Sequence, residues 1–462
     1  MGAMALNVFI CAGGRSTRFG GNIPKLFQDL GGKPVVDYVL DIAKHLTSLD
    51  RIYIVTSPNF LTWNGWPLGT HIVPQEPALG TGHAFQLAFE HFVNTQIGNV
   101  LDEEILVLMA DCPLMELQDL TLFLQHETPL TLLAMYPEVF RRYGEILMSS
   151  SGEVFGIQEH KYTENPSWDT LPLCYTGIMK ISSQLASSWV KALPFHSTVQ
   201  EYHITDFVKM AHQHAVPVGV VISDSPQHFI GINTKEDWQA AYQLLQNRWR
   251  ARAQQQGALF HDPSSVMLSW DTRFFLDAQV HPFNVFGPGV VVERGAVIFP
   301  FCRLIHTHIG PYARIGPFAH VKEGSNLGTE SCVGSFVEMT RSSLGDYSQA
   351  KHLTYLGDVN IAQDVNVGAG VVMCNYDGLQ KHTISIEKEA FIGAGTMLVA
   401  PVTIGSGATI GAGSVITEDV PEKTLSVSRA PQKNIVLSEN SRHRTRPLKS
   451  KKLKNISSCE EK

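Results

Sequence analysis

Near the C-terminal end of this chain an aliphatic residue recurs every six positions, at Ile392, Leu398, Ile404, Ile410 and Ile416. The beat starts much earlier. Val285, Val291 and Val297 carry it, Arg303 breaks it, and it resumes at Ile309, Ile315, Val321, Leu327, Val333 and Met339, with a shorter run at Ile361, Val367 and Met373. Six is not a helical period. It suits short strands joined by tight turns, one aliphatic side chain per side pointing into a prism, which is the hexapeptide signature of a parallel β-helix. Each coil covers the apolar face of the next, so many small units build one core. Glycines follow the aliphatics, as in Ile392-Gly393 and Ile410-Gly411, and permit sharp bends. Chance alternation in an ordinary β domain would not hold its phase over so many units. The period alone leaves the handedness open.

A length of 462 residues suits two or three domains. A hydrophobic fraction of 44% with 17% charged residues is a globular composition with ample core material. The net charge of −7 gives no global basic field for nucleic acid. Seven cysteines are scattered without a CxxC pair. The odd count argues against a disulfide framework and predicts a reducing, cytoplasmic setting. No apolar run approaches the roughly 18 residues of a membrane span, and the N-terminus does not read as a secretory signal.

Leu6 to Ile10 reads as a buried strand. It runs into Cys11-Ala12-Gly13-Gly14-Arg15-Ser16-Thr17-Arg18, then Pro24-Lys25 and a helix over Val35 to Lys44. A strand, a glycine loop and a helix make a phosphate cradle, because glycine lets backbone N–H groups approach an anion. Glycines alone are weak evidence, but Arg18 and Lys25 add fixed positive charge. The loop lacks the ending of a P-loop and the spacing of a dinucleotide fingerprint. Arg51 to Thr56 and Ile105 to Met109 are further strands. After Gln75, Gly80-Thr81-Gly82-His83 opens a helix that Thr81 can cap. Asp111 follows the strand ending at Met109, where open α/β sheets bind ligands. It is either structural or a hard-oxygen ligand for Mg²⁺. Trp238 to Gln255, free of glycine and proline, reads as a linking helix.

Inside the solenoid, Lys351-His352-Leu353-Thr354-Tyr355-Leu356-Gly357-Asp358 interrupts the beat. A regular β-helix has no structural use for a histidine and a tyrosine there, and such local exceptions are candidate functional positions. Histidine is the natural general base near neutral pH, although with 19 histidines in the chain the residue type alone counts for little.

Together these stretches resemble a known family. Ala-Gly-Gly-x-Ser-Thr-Arg with downstream Pro-Lys, Leu-Gly-Thr-Gly-His-Ala and Asp-Cys-Pro-Leu look like a sugar-1-phosphate nucleotidyltransferase. Joined to a hexapeptide β-helix, they are similar to the bacterial bifunctional N-acetylglucosamine-1-phosphate uridyltransferase/glucosamine-1-phosphate acetyltransferase family, GlmU. The resemblance runs from residue 6 to about 432 and includes Tyr143-Gly144, Glu159-His160-Lys161, Thr176-Gly177, Glu201 to Asp206, Gly231-Ile232-Asn233 and His352 to Asp358. It implies a Rossmann-like α/β nucleotidyltransferase domain over 1–237, a linker helix over 238–260, a left-handed parallel β-helix acetyltransferase domain over 261–432, and a basic tail over 433–462.

By the same resemblance, Asp111 and Asn233 hold Mg²⁺. Cys11, Ala12, Gly13, Gly14, Lys25, Gln75, Gly80 and Thr81 line the nucleotide, and Gly144, Glu159 and Tyr175 lie near the sugar. Arg18 and Lys25 assist uridylyl transfer from UTP to N-acetylglucosamine 1-phosphate. His352 is the base for acetyl transfer from acetyl-CoA to glucosamine 1-phosphate. Lys322, Thr340, Tyr355, Asn366 and Lys381 bind that acceptor; Ala369, Asn375, Tyr376, Ala394, Ala412 and Arg429 line acetyl-CoA. Neither nucleic acid nor a membrane is implied, and a homotrimer is.

The chain departs from the family pattern at several of these positions. Tyr175 stands where an asparagine is usual, Glu145 and Lys322 where arginines are, Thr340 where a lysine is (Arg341 is adjacent), and Ala394 where a serine is. Losing a bidentate arginine is not neutral. An alternative reading is therefore a nucleotidyltransferase whose β-helix has lost or changed its acetyl transfer and serves mainly to trimerise. The tail carries seven basic residues between Arg442 and Lys454. It is either a solvated arm or a contact for acetyl-CoA phosphates from a neighbouring subunit.

Overall fold

The computed structural model describes residues 5–14, 18–20, 23–96, 100–138, 143–159 and 172–436. Arg15, Ser16 and Thr17 of the glycine loop, His160-Lys161 and the basic run from Arg442 to Lys454 lie outside the described residues.

The N-terminal part is a nine-stranded mixed sheet. Its strands are β1 (Leu6–Ala12), β2 (Ile52–Thr56), β3 (His71–Pro74), β4 (Glu104–Met109), β5 (Leu130–Met135), β6 (Gly144–Met148), β7 (Val154–Glu159), β8 (Cys174–Ser182) and, after the small hairpin β9 (Phe195–His196) and β10 (Glu201–Tyr202), β11 (Val218–Ser223). The spatial order is β11-β5-β8-β4-β1-β2-β3, with β6 on β8 and β7 on β6. Strands β4, β1, β2 and β3 are parallel, and β8 runs antiparallel between β4 and β5. The helices are α1 (Val35–Leu46), α2 (Gly80–Thr95), the single turn α3 (Thr121–Leu124), α4 (Ser183–Trp189), α5 (Asp206–Gln213) and the long α6 (Lys235–Gln255).

Alternation along β1 explains the layers. Val8, Ile10 and Ala12 pack with Val36, Val39 and Leu40 of α1. Phe9 points the other way, into Phe85 and Phe92 of α2. A strand turns successive side chains to opposite faces, so both faces of β1 are apolar and both are covered.

From Leu259 the chain winds into three parallel sheets of ten, eight and eight short strands, in which each strand pairs with the one three positions further on in the chain, except at the first and last pairings of the ten-stranded sheet, where the step is two. The sequence beat holds, with two corrections. Val285, Val291 and Val297 are not the inward residues. Phe286, Val292, Ile298 and Leu304 are buried at 2% or less, while Val285 is 44% exposed. A slip of one residue turns a side chain to the opposite face. The turn from Leu304 to Ile309 spans five residues instead of six, which returns the core to the expected phase. Arg303 therefore interrupts nothing; it sits on the outer side of Leu304. The His352 region shifts the phase without leaving the coil, because the steps from Met339 to Leu344 and from Leu356 to Ile361 are five residues. Ala350 and Leu356 fill the prism there, both fully buried, and an alanine is easily overlooked in a search for large aliphatics.

The corners also differ from expectation. Many are left-handed residues other than glycine, among them Phe283, Phe301, Phe318, Phe336 and Leu353. The four phenylalanines stack on an outer edge with centroids 5.0–5.1 Å apart and planes within 8°, and all five residues are exposed.

Helix α6 ties the two parts together. Thr234 caps it and Asp237 closes the capping box. Further along, buried Gln246 donates to the Leu268 carbonyl (2.7 Å) and accepts from the Leu268 N–H (2.8 Å). Arg250 reaches the carbonyls of Pro263 and Val266.

Candidate active sites

The first site forms past the C-terminal ends of β1 and β4. Pro24 starts a short 3₁₀ turn over Lys25–Phe27, which leaves Lys25 nearly buried. Its ammonium lies 2.5 Å from an Asp111 carboxylate oxygen and 3.0 Å from the Asn233 amide oxygen. Arg18 donates to the same Asn233 oxygen at 3.1 Å. Asn233 is fixed from behind, because its N–H donates to Asp237 (3.0 Å) at the start of α6, and Ile232 N–H donates to the Asp111 carbonyl. Two oxygen donors thus converge on one cation. Hard oxygen is what Mg²⁺ takes, with water and phosphate completing its shell, so the residues present fit that ion.

The glycine loop abuts this cluster. A Cβ on Gly13 would stand 2.0 Å from Gln75 Oε1, so only glycine allows Gln75 to lie across the loop. Gln75 in turn donates to the Gly80 carbonyl at 2.9 Å. Gly80 has φ +89° and opens α2 with no side-chain cap. The expectation that Thr81 caps this helix is therefore corrected. Its hydroxyl instead accepts from Ile204 N–H at 3.3 Å, because Glu201 and Tyr202 pack directly over Gly80 and Gly82. Ala12 and Cys11 end β1 beside Met109. Burial, followed by the Asp111 charge, pushes the Cys11 thiol up to about 12, so it stays protonated and is no nucleophile.

Glu159, Gly144 and Tyr175 form one row across β7, β6 and β8. Thr205 donates to Glu159 at 3.1 Å. Thr176-Gly177 makes a bulge against β5: Gly177 has φ +94°, and the Thr176 hydroxyl bonds the Leu133 carbonyl. A bulge re-aims the adjacent side chain, here Tyr175. Its phenol oxygen is buried without a partner among the described residues. Burial, then the neighbouring Cys11, holds that phenol well above the usual tyrosine range.

The second site lies on the solenoid. His352 ends a strand (Gln349–His352) and is exposed; it pairs with Ser335 one coil back and accepts from Gly370 N–H one coil on. The corner residue beside it changes character at this point. Phe318, Phe336 and Leu353 occupy the corner up to His352, then Gly370, Gly395 and Gly413, with φ of 70–73°. Ala369, Ala394 and Ala412 take the place of His352 in those later coils and are exposed. A shallow trough of Ala-Gly turns therefore leads away from His352, and Arg429 bonds the Ala412 carbonyl at its far end.

Around the corner, Lys322, Thr340 and Gly357 form a cross-coil row, and the Tyr355 hydroxyl lies across Gly357. Lys322 pairs with Glu338 (2.9 Å) and Thr340 donates to Glu323 (3.0 Å). Asp358 was not singled out from the sequence, yet it organises this edge. It binds Arg341 at 2.7 and 3.0 Å and accepts from Asn375. Those hydrogen bonds, Arg341 first, hold its carboxyl below the ordinary range. The 17-residue spacing of Arg341, Asp358 and Asn375 is the signal that could have found it, one coil per step. Lys381 acts electrostatically on the same carboxylate. Asn366 accepts from Gln349, on the His352 strand, at 3.0 Å. Tyr376 stands apart, exposed, bonded to the Gly378 carbonyl.

Residues 8–161 match the MobA-like NTP transferase domain and residues 383–418 match the bacterial transferase hexapeptide (six repeats). The chain is 33% identical over 437 residues to the bifunctional protein GlmU of Paramagnetospirillum magneticum, covering 94% of this chain and 95% of that protein. It is 34% identical over 429 residues to that of Paracoccus denitrificans (92% and 94%). It is also 34% identical over 433 residues to that of Anaplasma marginale (92% and 98%).

Proposed function

The chain belongs to the GlmU family, and from that premise we propose that it makes UDP-N-acetylglucosamine by two transfers on one polypeptide. On the left-handed β-helix, the amine of glucosamine 1-phosphate attacks the thioester carbonyl of acetyl-CoA. An ammonium cannot attack, so His352 takes a proton from it. The C–N bond forms, the C–S bond breaks, and CoA leaves as the thiol. Side-by-side binding supplies the orientation advantage. The observation that carries this step is the change of corner residues at His352, from bulky side chains on one side to an Ala-Gly trough on the other. Ala369, Ala394, Ala412, Asn375, Tyr376 and Arg429 would take acetyl-CoA along that trough. Lys322, Thr340, Tyr355, Asn366 and Lys381 would hold the acceptor, with Arg341 supplying cationic charge beside Thr340. No observation favours the reading in which acetyl transfer has been lost.

In the α/β domain, an oxygen of N-acetylglucosamine 1-phosphate attacks the α-phosphorus of UTP and pyrophosphate leaves. Asp111 and Asn233 would hold Mg²⁺, which when bound screens the phosphate charge. Arg18 and Lys25 add fixed positive charge where the phosphoryl group becomes more negative. Cys11 to Gly14, Gln75, Gly80 and Thr81 would seat the nucleotide, and Gly144, Glu159 and Tyr175 the sugar. No covalent enzyme intermediate is needed.

The proposal includes a homotrimer, supported by the exposed phenylalanine ladder beside His352, an apolar ridge of the kind that marks protein contacts. It also includes a cytoplasmic setting. No helix among the described residues is long and apolar enough to cross a membrane.

A two-part turnover assay tests the reading. One arm supplies UTP, N-acetylglucosamine 1-phosphate and Mg²⁺ and follows pyrophosphate; the other supplies acetyl-CoA and glucosamine 1-phosphate and follows free thiol. Turnover in both arms, with thiol release falling by roughly 10²–10⁴-fold in His352→Ala and pyrophosphate release unchanged, is expected. Pyrophosphate without thiol would overturn the acetyl half.

A further inference from the structure

The mechanism above leaves a cluster of imidazoles and a carboxylate unused. His196 ends β9, and His203 follows β10 of the same hairpin. Asp206 is the first residue of α5. One ring nitrogen from each histidine and one Asp206 oxygen lie within 4.8 Å of one another. His196 Nε2 is 2.7 Å from Asp206 Oδ2, and the two imidazoles stack with centroids 4.6 Å apart and planes at 20°.

We propose that His196, His203 and Asp206 form a site for a borderline transition-metal ion of the Zn²⁺ class. Each imidazole has a carboxylate beside it: His196 lies 2.7 Å from Asp206, and His203 Nε2 lies 3.4 Å from a Glu201 oxygen, so both rings face oxygen donors of the kind that share a cation. Two stacked imidazoles repel each other when both are cationic; as neutral rings they can share one cation after a side-chain rotation turns their in-plane lone pairs toward it. Two imidazole nitrogens and one carboxylate oxygen are a donor set that suits Zn²⁺ and its neighbours, whereas Mg²⁺ prefers oxygen alone. The His196 side chain is 38% exposed against 13–14% for the other two, so water has access to complete a four-coordinate shell. The spacing also fits: the tight turn after His196, whose carbonyl accepts from Val199 N–H, brings His-x6-His-x2-Asp together between the short hairpin and the first residue of α5.

The position gives the site a role. Tyr202, next to His203, packs on Gly80 and Gly82. Ile204 bonds Thr81, and Thr205 bonds Glu159. A bound ion would therefore brace the segment that presses on both the Gly80-Thr81 turn and Glu159, without touching the reacting atoms.

The test uses full-length protein stripped with chelator and titrated with Co²⁺ in excess Mg²⁺, followed by its visible absorption and by thermal unfolding. The expected result is one Co²⁺ per chain, displaced by Zn²⁺, with a raised unfolding midpoint. His196→Ala, at a half-exposed position, weakens binding by roughly tenfold or more and removes the thermal shift; His203→Gln does the same. Absence of a Co²⁺ band, or a band that persists in both variants, would overturn the site. Both turnover arms can stand in either case, so the failure of one proposal is distinguishable from the failure of the other.

Discussion

The Lys25 ammonium lies 2.5 Å from the Asp111 carboxylate, and both are mostly withdrawn from solvent. A pair so placed is held by charge in a site of reduced dielectric, and removing one member leaves the other buried without its counter-charge.

Asp111→Asn keeps the shape and removes the charge. Pyrophosphate release in Mg²⁺ is expected to fall by roughly a hundredfold or more, while thiol release from acetyl-CoA stays at the parent rate. Equal losses in both assays would mean that the change has unsettled the whole chain.

Gly395→Phe tests the trough. A Cβ at Gly395 would meet nothing closer than 4.0 Å, and Phe283, Phe301, Phe318 and Phe336 already adopt the same left-handed corner. The chain should fold at a cost of about 1–2 kcal/mol. The KM for acetyl-CoA should rise at least roughly tenfold, since a steric block of even about 1.4 kcal/mol has that effect, with uridylyl transfer untouched.

Tyr175→Phe removes a buried hydroxyl that has no partner among the described residues. An unsatisfied buried group of this kind costs about 1–3 kcal/mol, so the variant should unfold at the same temperature or higher. If the phenol meets the sugar, KM for N-acetylglucosamine 1-phosphate rises while UTP binding does not. A stabilised variant with unchanged kinetics would remove Tyr175 from the sugar site.

Asp358→Asn breaks the link between Arg341 and Asn375. The folded-state pKa of Asp358 is depressed, so its stabilising effect is present above the ordinary aspartate value of about 3.9 and is lost as pH falls through the depressed value. The parent and the variant should therefore differ in unfolding midpoint at neutral pH and converge in strong acid. A difference that does not shrink on acidification would show that charge is not what Asp358 contributes.

The sequence disclosed the solenoid through Ile392, Leu398, Ile404, Ile410 and Ile416, because in that region every turn is six residues long and every inward residue is large. It misled around Val285 to Arg303 because valine is at home on either face of a short strand, and only the five-residue turn before Ile309 shows which phase enters the core. Lys25 and Asp111 were legible as chemistry and Asn233 only through the family resemblance; that the three meet at one point was not, since Lys25 lies 86 residues from Asp111 and 208 from Asn233, whereas the capping box of Thr234 and Asp237 that anchors Asn233 is local. Thr81 looked like a helix cap because its type and position suited one. The hairpin from β9 to β10 outcompeted that local role. His196, His203 and Asp206 lie within eleven residues, but nothing in their spacing distinguished them from the other histidines until the turn at Val199 folded them together.

The coils that carry His352, Ala369, Ala394 and Ala412 are rungs about 4.8 Å apart, so the trough from His352 to Ala412 measures about 14 Å over three rungs. Each coil touches only its neighbours, and each full turn returns every side chain to its own face. Inserting or deleting one coil would move Arg429 farther from or nearer to His352 by a single rung while leaving the packing of the rest intact. The reach of the solenoid can thus change only in whole steps, like notches on a ruler, and any elongated ligand laid along it is measured by an integer.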